Sequence, residues 1–152
     1  MSDNKINIIC YVDGGFDTVN KKNPYGSIRI FHENTGKEIY YSGKKKFTTE
    51  CTAEGFSPIA TIDSSNKTEY SIIIELFSYL IKNIERFEAI TVCSDSRLVI
   101  NQLTNVWKTR EPTLKPFYKH AKLLLYTLLR ETNGNTTLMW VGRNTMVRLL
   151  GH

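Results

Sequence analysis

The first third of the chain alternates short apolar runs with polar turns, a pattern typical of β-strands. The first run covers residues 8–12 and ends at Asp13, which predicts a buried strand over residues 6–13. Two more strands are predicted over residues 25–31 and 38–41, with Phe47 continuing the third. The short polar connections between them favour an antiparallel meander.

Further along, the period of the apolar positions changes from two to that of a helix. Over residues 68–83 apolar side chains recur at i, i+3, i+4 and i+7, which predicts an amphipathic helix with candidate N-caps at Ser64, Ser65 and Asn66. The remaining predictions are a strand over 89–93, a helix beginning at Ser94-Asp95-Ser96, a long helix over 113–131, a strand over 136–141 and a short tail. Residues 48–63 follow no period and are interpreted as irregular. The order β-β-β-α-β-α-α-β indicates an α/β protein with helices packed on a mixed sheet.

Asp13 stands where the first predicted strand ends, and two glycines follow it directly. Read alone, Asp13-Gly14-Gly15 predicts a sharp turn after a strand. A carboxylate at the end of a buried strand nevertheless requires a partner, because an unpaired buried charge is strongly disfavoured. The rest of the chain must decide between these interpretations.

Two further acidic residues stand at the ends of predicted elements. Glu69 lies in the first turn of its helix, in line with the apolar stripe. Asp95 follows the end of a strand, where sites in α/β sheets collect. Helix capping accounts for each of them singly. If Asp13, Glu69 and Asp95 share one cleft, however, their mutual repulsion favours bound Mg²⁺ or Mn²⁺, which take oxygen ligands.

Composition and charge limit the class of protein. The 152 residues predict a single domain, residues 1–152, and no apolar run approaches the roughly 20 residues that span a bilayer. The polar N-terminus is unlike a signal peptide, and three cysteines without a CxxC pair indicate neither a disulfide framework nor a zinc site. We therefore expect an intracellular, cytoplasmic setting. The formal net charge of +5 is compatible with a polyanionic partner.

The basic residues are arranged in a way that suits phosphate. Lys115, Lys119 and Lys122 recur at i, i+4 and i+7 on a helix face away from the leucines, and Trp107-Lys108 precedes them. A merely solvated helix face is the alternative interpretation. The run Lys44-Lys45-Lys46 is interpreted as protection of a sheet edge.

Taken in order, five segments carry a resemblance to a known family: Tyr11-Val12-Asp13-Gly14-Gly15, Asn66-Lys67-Thr68-Glu69-Tyr70, Ser94-Asp95-Ser96-Arg97-Leu98-Val99-Ile100-Asn101-Gln102-Leu103, Trp107-Lys108 and Trp140-Val141-Gly142-Arg143. In order and approximate spacing they resemble type 1 ribonuclease H, over nearly the whole chain. The resemblance implies a ribonuclease H-like fold, a five-stranded mixed sheet flanked by helices. It also implies hydrolysis of the RNA strand of RNA/DNA hybrids with two divalent metal ions, Mg²⁺ or Mn²⁺.

The resemblance assigns roles to individual residues. Asp13, Glu69 and Asp95 match three members of an acidic quartet that binds the metals. Contacts to the nucleic acid are implied for Gly14, Gly15, Asn66, Asn101, Gln102, Trp107, Lys108, Lys115 and Arg143. No protein partner is implied, and a monomer is expected.

The fourth acidic position departs from the family pattern. The expected Asp falls on Leu150, and no Asp or Glu follows Arg143 in the sequence. His152 is the candidate fourth ligand, since ribonuclease H-like Argonaute nucleases are similar in using His there. Two alternatives to hybrid cleavage stay open: a hybrid- or RNA-binding module that has lost turnover, and a related nuclease that acts on DNA.

Overall fold

The computed structural model describes residues 4–20, 22–47, 50–51 and 60–151. Within these ranges the strands are β1 Ile6–Asp17, β2 Lys22–His32, β3 Glu38–Tyr41, β4 Lys45–Lys46, β5 Glu50–Cys51, β6 Ala60–Thr61, β7 Phe87–Ser94 and β8 Thr136–Trp140. The helices are α1 Ser65–Lys82, α2 Arg97–Leu103, α3 Lys115–Glu131 and α4 Arg143–Leu150, with a 3₁₀ turn at Ile84–Arg86.

One mixed sheet carries most of the strands, in the order β3-β2-β1-β7-β8, and β4 also pairs with β2. β1, β2 and β3 are antiparallel neighbours, whereas β7 runs parallel to both β1 and β8. β5 and β6 pair separately as a short antiparallel ladder. The predicted fold class, a mixed sheet with a meander followed by parallel strands and flanked by helices, is confirmed.

Successive side chains of a strand point to opposite faces of the sheet, so each face buries a core of its own. The two cores differ in size. Ile8, Cys10 and Val12 of β1 belong to the larger core, which includes apolar residues of α1 and α3. The intervening residues Ile9 and Tyr11 pack against a smaller cluster of Cys93, Met146 and Leu150, two of which belong to α4. Asp13 continues the second series, so its side chain points to the face that α4 covers.

β1 does not end at Asp13, so the predicted bound of the strand is wrong, and of the two interpretations of Asp13-Gly14-Gly15 the turn is the one that fails. The strand continues to Asp17, and Gly14 lies directly opposite Gly26 of β2. A Cβ on Gly14 would lie 3.0 Å from the Thr68 backbone, and one on Gly26 would lie 2.7–2.8 Å from the Ile72 side chain. The two glycines therefore allow the N-terminal part of α1 to approach the sheet closely. This close packing accounts for the glycines while β1 stays extended.

Helix starts were predicted well, but the C-terminal region was not. Ser64 caps α1, and its side-chain oxygen accepts a hydrogen bond from the Lys67 amide at 3.3 Å. α2 is capped by Ser96, so Asp95 lies one residue before the cap and has no capping role. The predicted tail after β8 contains the helix α4. Residues 48–63 were interpreted as irregular, but of this segment only 50–51 and 60–63 lie within the described residues, and 50–51 and 60–61 form the strands β5 and β6.

Lys122 does not belong to the solvated basic face that the helical spacing predicted. Its side chain is buried, and its Nζ donates to the carbonyl of Leu103 at 2.5 Å and to Oδ1 of Asn105 at 2.8 Å. The ammonium thereby satisfies the C-terminal end of α2, whose last carbonyl groups have no partner within the helix. Lys115 and Lys119 of the same series are exposed.

None of the helices in the described ranges is long and apolar enough to cross a membrane.

We predict that Gly26→Ala destabilises the protein by roughly 1–3 kcal/mol, because the new methyl group overpacks against Ile72 on a helix that cannot retreat without opening the core. Gly142→Ala is the control, since a Cβ there meets nothing within 4 Å and an N-cap Gly→Ala change costs less than about 1 kcal/mol. Urea unfolding of both variants measures the difference. Equal stability of the two variants would contradict the packing argument.

Candidate active site

Three carboxylates from separate parts of the chain meet at one edge of the sheet. Asp13 lies on β1, Glu69 in the first turns of α1, and Asp95 between β7 and α2. One ligand oxygen from each lies within 4.8 Å of the others. β1 and β7 are parallel neighbours, with Tyr11 opposite Cys93, so Asp13 and Asp95 both follow the paired strands at the same end. The close approach of α1 over Gly14 adds Glu69.

Burial and mutual repulsion raise the pKa values of two members of this acidic cluster. Asp13 is 1% exposed. Its burial, followed by the charge of Asp95, raises the pKa of Asp13 to about 6, although hydrogen bonding to Arg143 opposes the shift. Burial, then the charges of Asp13 and Asp95, raise the pKa of Glu69 well above its usual value, against a hydrogen bond from the Gly14 backbone. The cluster therefore favours bound protons or cations.

Arg143, the first residue of α4, supplies one cation to the cluster. Its Nη1 lies 2.8 Å from Oδ2 of Asp13 and 3.1 Å from Oδ2 of Asp95. The Arg143 side chain is 56% exposed, so the guanidinium bridges the buried carboxylates from the solvent side. The sequence pointed to Arg143 only as a contact to nucleic acid. Its pairing with two carboxylates more than 40 residues away in the chain was missed.

Trp140 and Arg97 support the loop that carries Asp95. The indole Nε1 of Trp140 donates to the backbone carbonyl of Asp95 at 3.1 Å, and the Arg97 guanidinium lies 4.0 Å from the centre of the Trp140 ring. Trp140 pairs with Ser94 in the β7–β8 ladder, which brings its side chain to the same end of the sheet. Tryptophan and arginine at these positions therefore fix the backbone on which Asp95 stands.

The acidic cluster fits a divalent cation. When all carboxyl groups are ionised, the buried Oε2 of Glu69 receives no hydrogen bond from the described residues. It can be satisfied by a cation or by a proton shared with Asp13. Three clustered carboxylate oxygens are the donors that hard ions such as Mg²⁺ and Mn²⁺ take. Among the described residues, Asp13, Glu69 and Asp95 are the only group of three or more acidic, His or Cys side chains close enough to share an ion.

The position expected to hold a fourth carboxylate lies on the buried side of α4. Leu150 is 3% exposed and packs with Cys93 and Met146. His152, the predicted fourth ligand, lies outside the described residues, so its role stays a prediction.

A groove of about 860 Å³ collects four of the residues predicted to contact nucleic acid, Asn66, Gln102, Trp107 and Lys108. Asn66 is one turn before Glu69 on α1, so the groove begins beside the acidic cluster. Gln102 is buried, and its carboxamide oxygen accepts a hydrogen bond from the Tyr70 hydroxyl at 2.6 Å. Trp107 and Lys108 are exposed at the wall of the groove.

The other predicted contacts are placed differently. Gly14 and Gly15 follow Asp13 on β1, beside the cluster. Asn101 is half-buried, and its backbone carbonyl accepts hydrogen bonds from the amides of Val106 and Trp107, so it shapes the loop after α2. Lys115 is exposed at the start of α3 and is not part of the groove wall.

Comparison with known proteins shows the class of fold. No protein-family profile and no curated protein matches the sequence. Among solved structures, RNase H1 of the halophilic archaeon Halobacterium salinarum is 22% identical, with a TM-score of 0.66 over 91% of this chain and 88% of that one. The chain therefore has a ribonuclease H fold.

Two further structures give the same result at similar distance. The N-terminal RNase H domain of Rv2228c from Mycobacterium tuberculosis is 23% identical, with a TM-score of 0.69 over 97% of this chain and 92% of that one. LC11-RNase H1, solved in complex with an RNA/DNA hybrid, is 22% identical, with a TM-score of 0.69 over 93% and 90% of the two chains.

We predict that Asp13→Asn stabilises the metal-free protein, and more so as the pH rises. A carboxyl group whose pKa is raised by folding from 3.8 to about 6 lowers stability as it ionises, so the penalty is absent below pH 4 and complete above pH 6. The gain should reach about 3 kcal/mol at pH 8, because each unit of the raised pKa corresponds to about 1.4 kcal/mol. Urea unfolding with a chelator at pH 4 and pH 8 measures it.

Asp17→Asn is the control, because hydrogen bonds from Asn20 lower the pKa of Asp17 and the sign reverses. Its replacement should give no gain that grows with pH. A stability difference for Asp13→Asn that is independent of pH would contradict the raised pKa.

Proposed function

We propose that this protein is a metal-dependent endoribonuclease that hydrolyses the RNA strand of RNA/DNA hybrids. The observation that carries the proposal is the meeting of Asp13, Glu69 and Asp95 at one end of β1 and β7 in a ribonuclease H fold. The structure of LC11-RNase H1 with a bound RNA/DNA hybrid supports the choice of substrate, since that protein shares the fold over 93% of this chain.

Asp13, Glu69 and Asp95 would together hold the metal ions. When bound, two divalent cations supply an activated water molecule and positive charge for the leaving 3′ oxygen. The chain itself supplies the negative charge that retains these cations, in a partly buried setting where electrostatic interactions are stronger than in water. Arg143 lies on the solvent side of the same carboxylates, so a phosphate that approaches the cluster meets its guanidinium.

Selection of the hybrid would rest on both sides of the cluster. Recognition of an RNA strand requires contacts to 2′-hydroxyl groups across a wide, shallow minor groove. Asn66 and the backbone at Gly14 and Gly15 lie beside the carboxylates and would make these contacts. The groove bearing Trp107 and Lys108 would follow the backbone of the DNA strand, with Lys115 beyond it.

A second candidate function is a hybrid-binding module without turnover. The observation that favours it is the environment of Leu150, where an apolar residue is buried at the expected place of a fourth carboxylate. Such a module would bind hybrid with a steep salt dependence and cut neither strand with any metal.

Strand-specific cleavage tests the proposed function. We expect the protein to cut the labelled RNA strand of a hybrid in Mg²⁺ or Mn²⁺, and to leave duplex DNA and duplex RNA intact. Asp13→Asn and Glu69→Gln should each lower the rate about 100-fold or more, since even the outer-shell partners of metal ligands contribute 10–100-fold. Glu75→Gln is the control, because Glu75 lies on the same helix but pairs with Lys45 at 2.8 Å.

Three results separate the candidates. Cleavage of the RNA strand that depends on Asp13 and Glu69 supports the nuclease. Tight, salt-sensitive hybrid binding without cleavage supports the binding module. Cleavage of duplex DNA, or full activity of Asp13→Asn, would reject the proposal.

His152→Ala tests the predicted fourth ligand. Neutral imidazole suits Mn²⁺ better than Mg²⁺, so we expect the variant to lose more of its Mn²⁺-supported than of its Mg²⁺-supported cleavage. His32→Ala is the control, since His32 lies at the end of β2 and its Nδ1 accepts a hydrogen bond from the Asn34 amide. Unchanged rates with both metals would remove His152 from the site.

A further inference from the structure

A second groove, here called the hairpin groove, lies where β4 approaches the hairpin of β1 and β2. It has a volume of about 670 Å³, and its wall includes three lysines and three aromatic residues, Lys22, Lys44, Lys46, Phe16, Tyr25 and Phe47. None of these residues belongs to the acidic cluster or to the groove of Trp107. The combination of cations with aromatic rings is typical of surfaces that bind single-stranded nucleic acid.

The three consecutive lysines 44–46 do not share one surface, because successive side chains of an extended chain point to opposite sides. Lys45 turns toward α1, where its Nζ lies 2.8 Å from Oε1 of Glu75. Lys44 and Lys46 line the hairpin groove, and the Lys44 Nζ lies 4.1 Å from the centre of the Tyr25 ring. Protection of a sheet edge, the interpretation from sequence, does not account for the two lysines that share a groove with aromatic side chains.

The charge of the groove stays positive after its one acidic residue is counted. Asp17 also lines the wall, but its carboxylate accepts hydrogen bonds from the backbone amides of Val19 and Asn20 and from the Asn20 side chain. Against this carboxylate stand the ammonium groups of three lysines, all of which are exposed. A polyanion would therefore be attracted to the hairpin groove.

The hairpin groove begins next to the acidic cluster. Tyr25 is paired with Gly15 in the β1–β2 ladder, and its ring fills the space that a Cβ on Gly15 would take. Phe16 follows Gly15, three residues after Asp13, which is about 10 Å along an extended strand. That distance corresponds to the rise of about three nucleotides in a strand.

We propose that the hairpin groove binds a single-stranded extension of the nucleic acid whose duplex part lies at the acidic cluster. Lysine ammonium groups contact its phosphates, and bases stack on the aromatic rings. The proposal rests on the proposed function, because it takes the same substrate beyond the end of the hybrid. An acidic peptide would use the lysines but not the ring faces, so the three aromatic residues favour a nucleic acid.

Binding to hybrids with and without an extension tests the hairpin groove. The Asp13→Asn protein is titrated with labelled blunt hybrid and with the same hybrid carrying a single-stranded extension of about eight nucleotides, within the site size of single-strand binders. Four arms place the extension on the RNA or the DNA strand, at its 5′ or 3′ end. In one of these arms we expect the extension to tighten binding by about tenfold or more.

Two double variants with the same net charge locate the effect. Lys44→Ala/Lys46→Ala should abolish the gain from the extension and lower the salt slope of binding by about 1.4, which is about 0.7 for each single-strand phosphate that no longer meets a lysine. Lys37→Ala/Lys82→Ala removes two exposed lysines elsewhere and should keep both the gain and the slope. Phe16→Leu should reduce the gain while leaving the salt slope unchanged, because it removes a ring and no charge.

The outcomes separate this proposal from the proposed function. Binding of a free single-stranded oligonucleotide that depends on Lys44 and Lys46, in a protein that never cuts hybrid, would support the groove and reject the nuclease. Cleavage of hybrid, with no tighter binding of the extended hybrid in any of the four arms, would support the nuclease and reject the role of the hairpin groove. Equal effects of the two double variants would overturn the proposal, since binding would then not depend on the hairpin groove. Competition by polyglutamate as strong as that by a single-stranded oligonucleotide would also overturn it, since binding would then not depend on bases.

Discussion

The repulsion among three buried or half-buried carboxylates is the constraint around which the rest of the structure is arranged. Asp13, Glu69 and Asp95 come from β1, α1 and the β7–α2 connection, and the free energy of bringing their charges together must be offset by a cation or a proton. Arg143 provides one positive charge by contacting Asp13 and Asp95. The first residue of α4 is thus held to the end of the sheet by an ion pair.

The other end of α4 is held by a second arginine. Nη1 of Arg29 donates to the carbonyl of Leu149 at 2.8 Å, while its Nε pairs with Glu38 at 2.6 Å. Met146 and Leu150 also bury the apolar side of the helix against the sheet. An eight-residue helix is too short to be stable by itself, so these tertiary contacts are what keep it in place.

Sequence predicted what is local and periodic, and missed what depends on partners across the fold. The helical stripe of α1, the Ser64 cap and the meander could be predicted because each follows from neighbouring residues. Continuation of β1 through Gly14 could not, because a Gly-Gly pair also suits a turn and the reason for it lies in α1. Lys122 looked solvated since its partner, the end of α2, is 17–19 residues away.

The candidate site shows the same division. Asp13, Glu69 and Asp95 were each ambiguous singly. Their places at the ends of predicted elements suggested one cleft, and the resemblance to a family then assigned them to a metal site. The structure places their oxygens within 4.8 Å of one another. Arg143 as a counter-ion had no local signal, because nothing near it in the sequence is acidic. Four wall residues of the first groove were predicted as contacts to nucleic acid, but neither groove could be predicted as a surface, since each wall combines residues from distant elements.

The buried ammonium of Lys122 links the interior of the protein to the outline of its surface. It binds the last carbonyl of α2 and the side chain of Asn105, a residue held at a φ of 67°, directly before the loop with Trp107 and Lys108. The contacts of Lys122, which belongs to α3, therefore determine the direction in which that loop leaves α2. A buried lysine that nucleic acid cannot reach therefore fixes the position of the groove wall beside the acidic cluster, so the shape of this surface depends on a contact in the core.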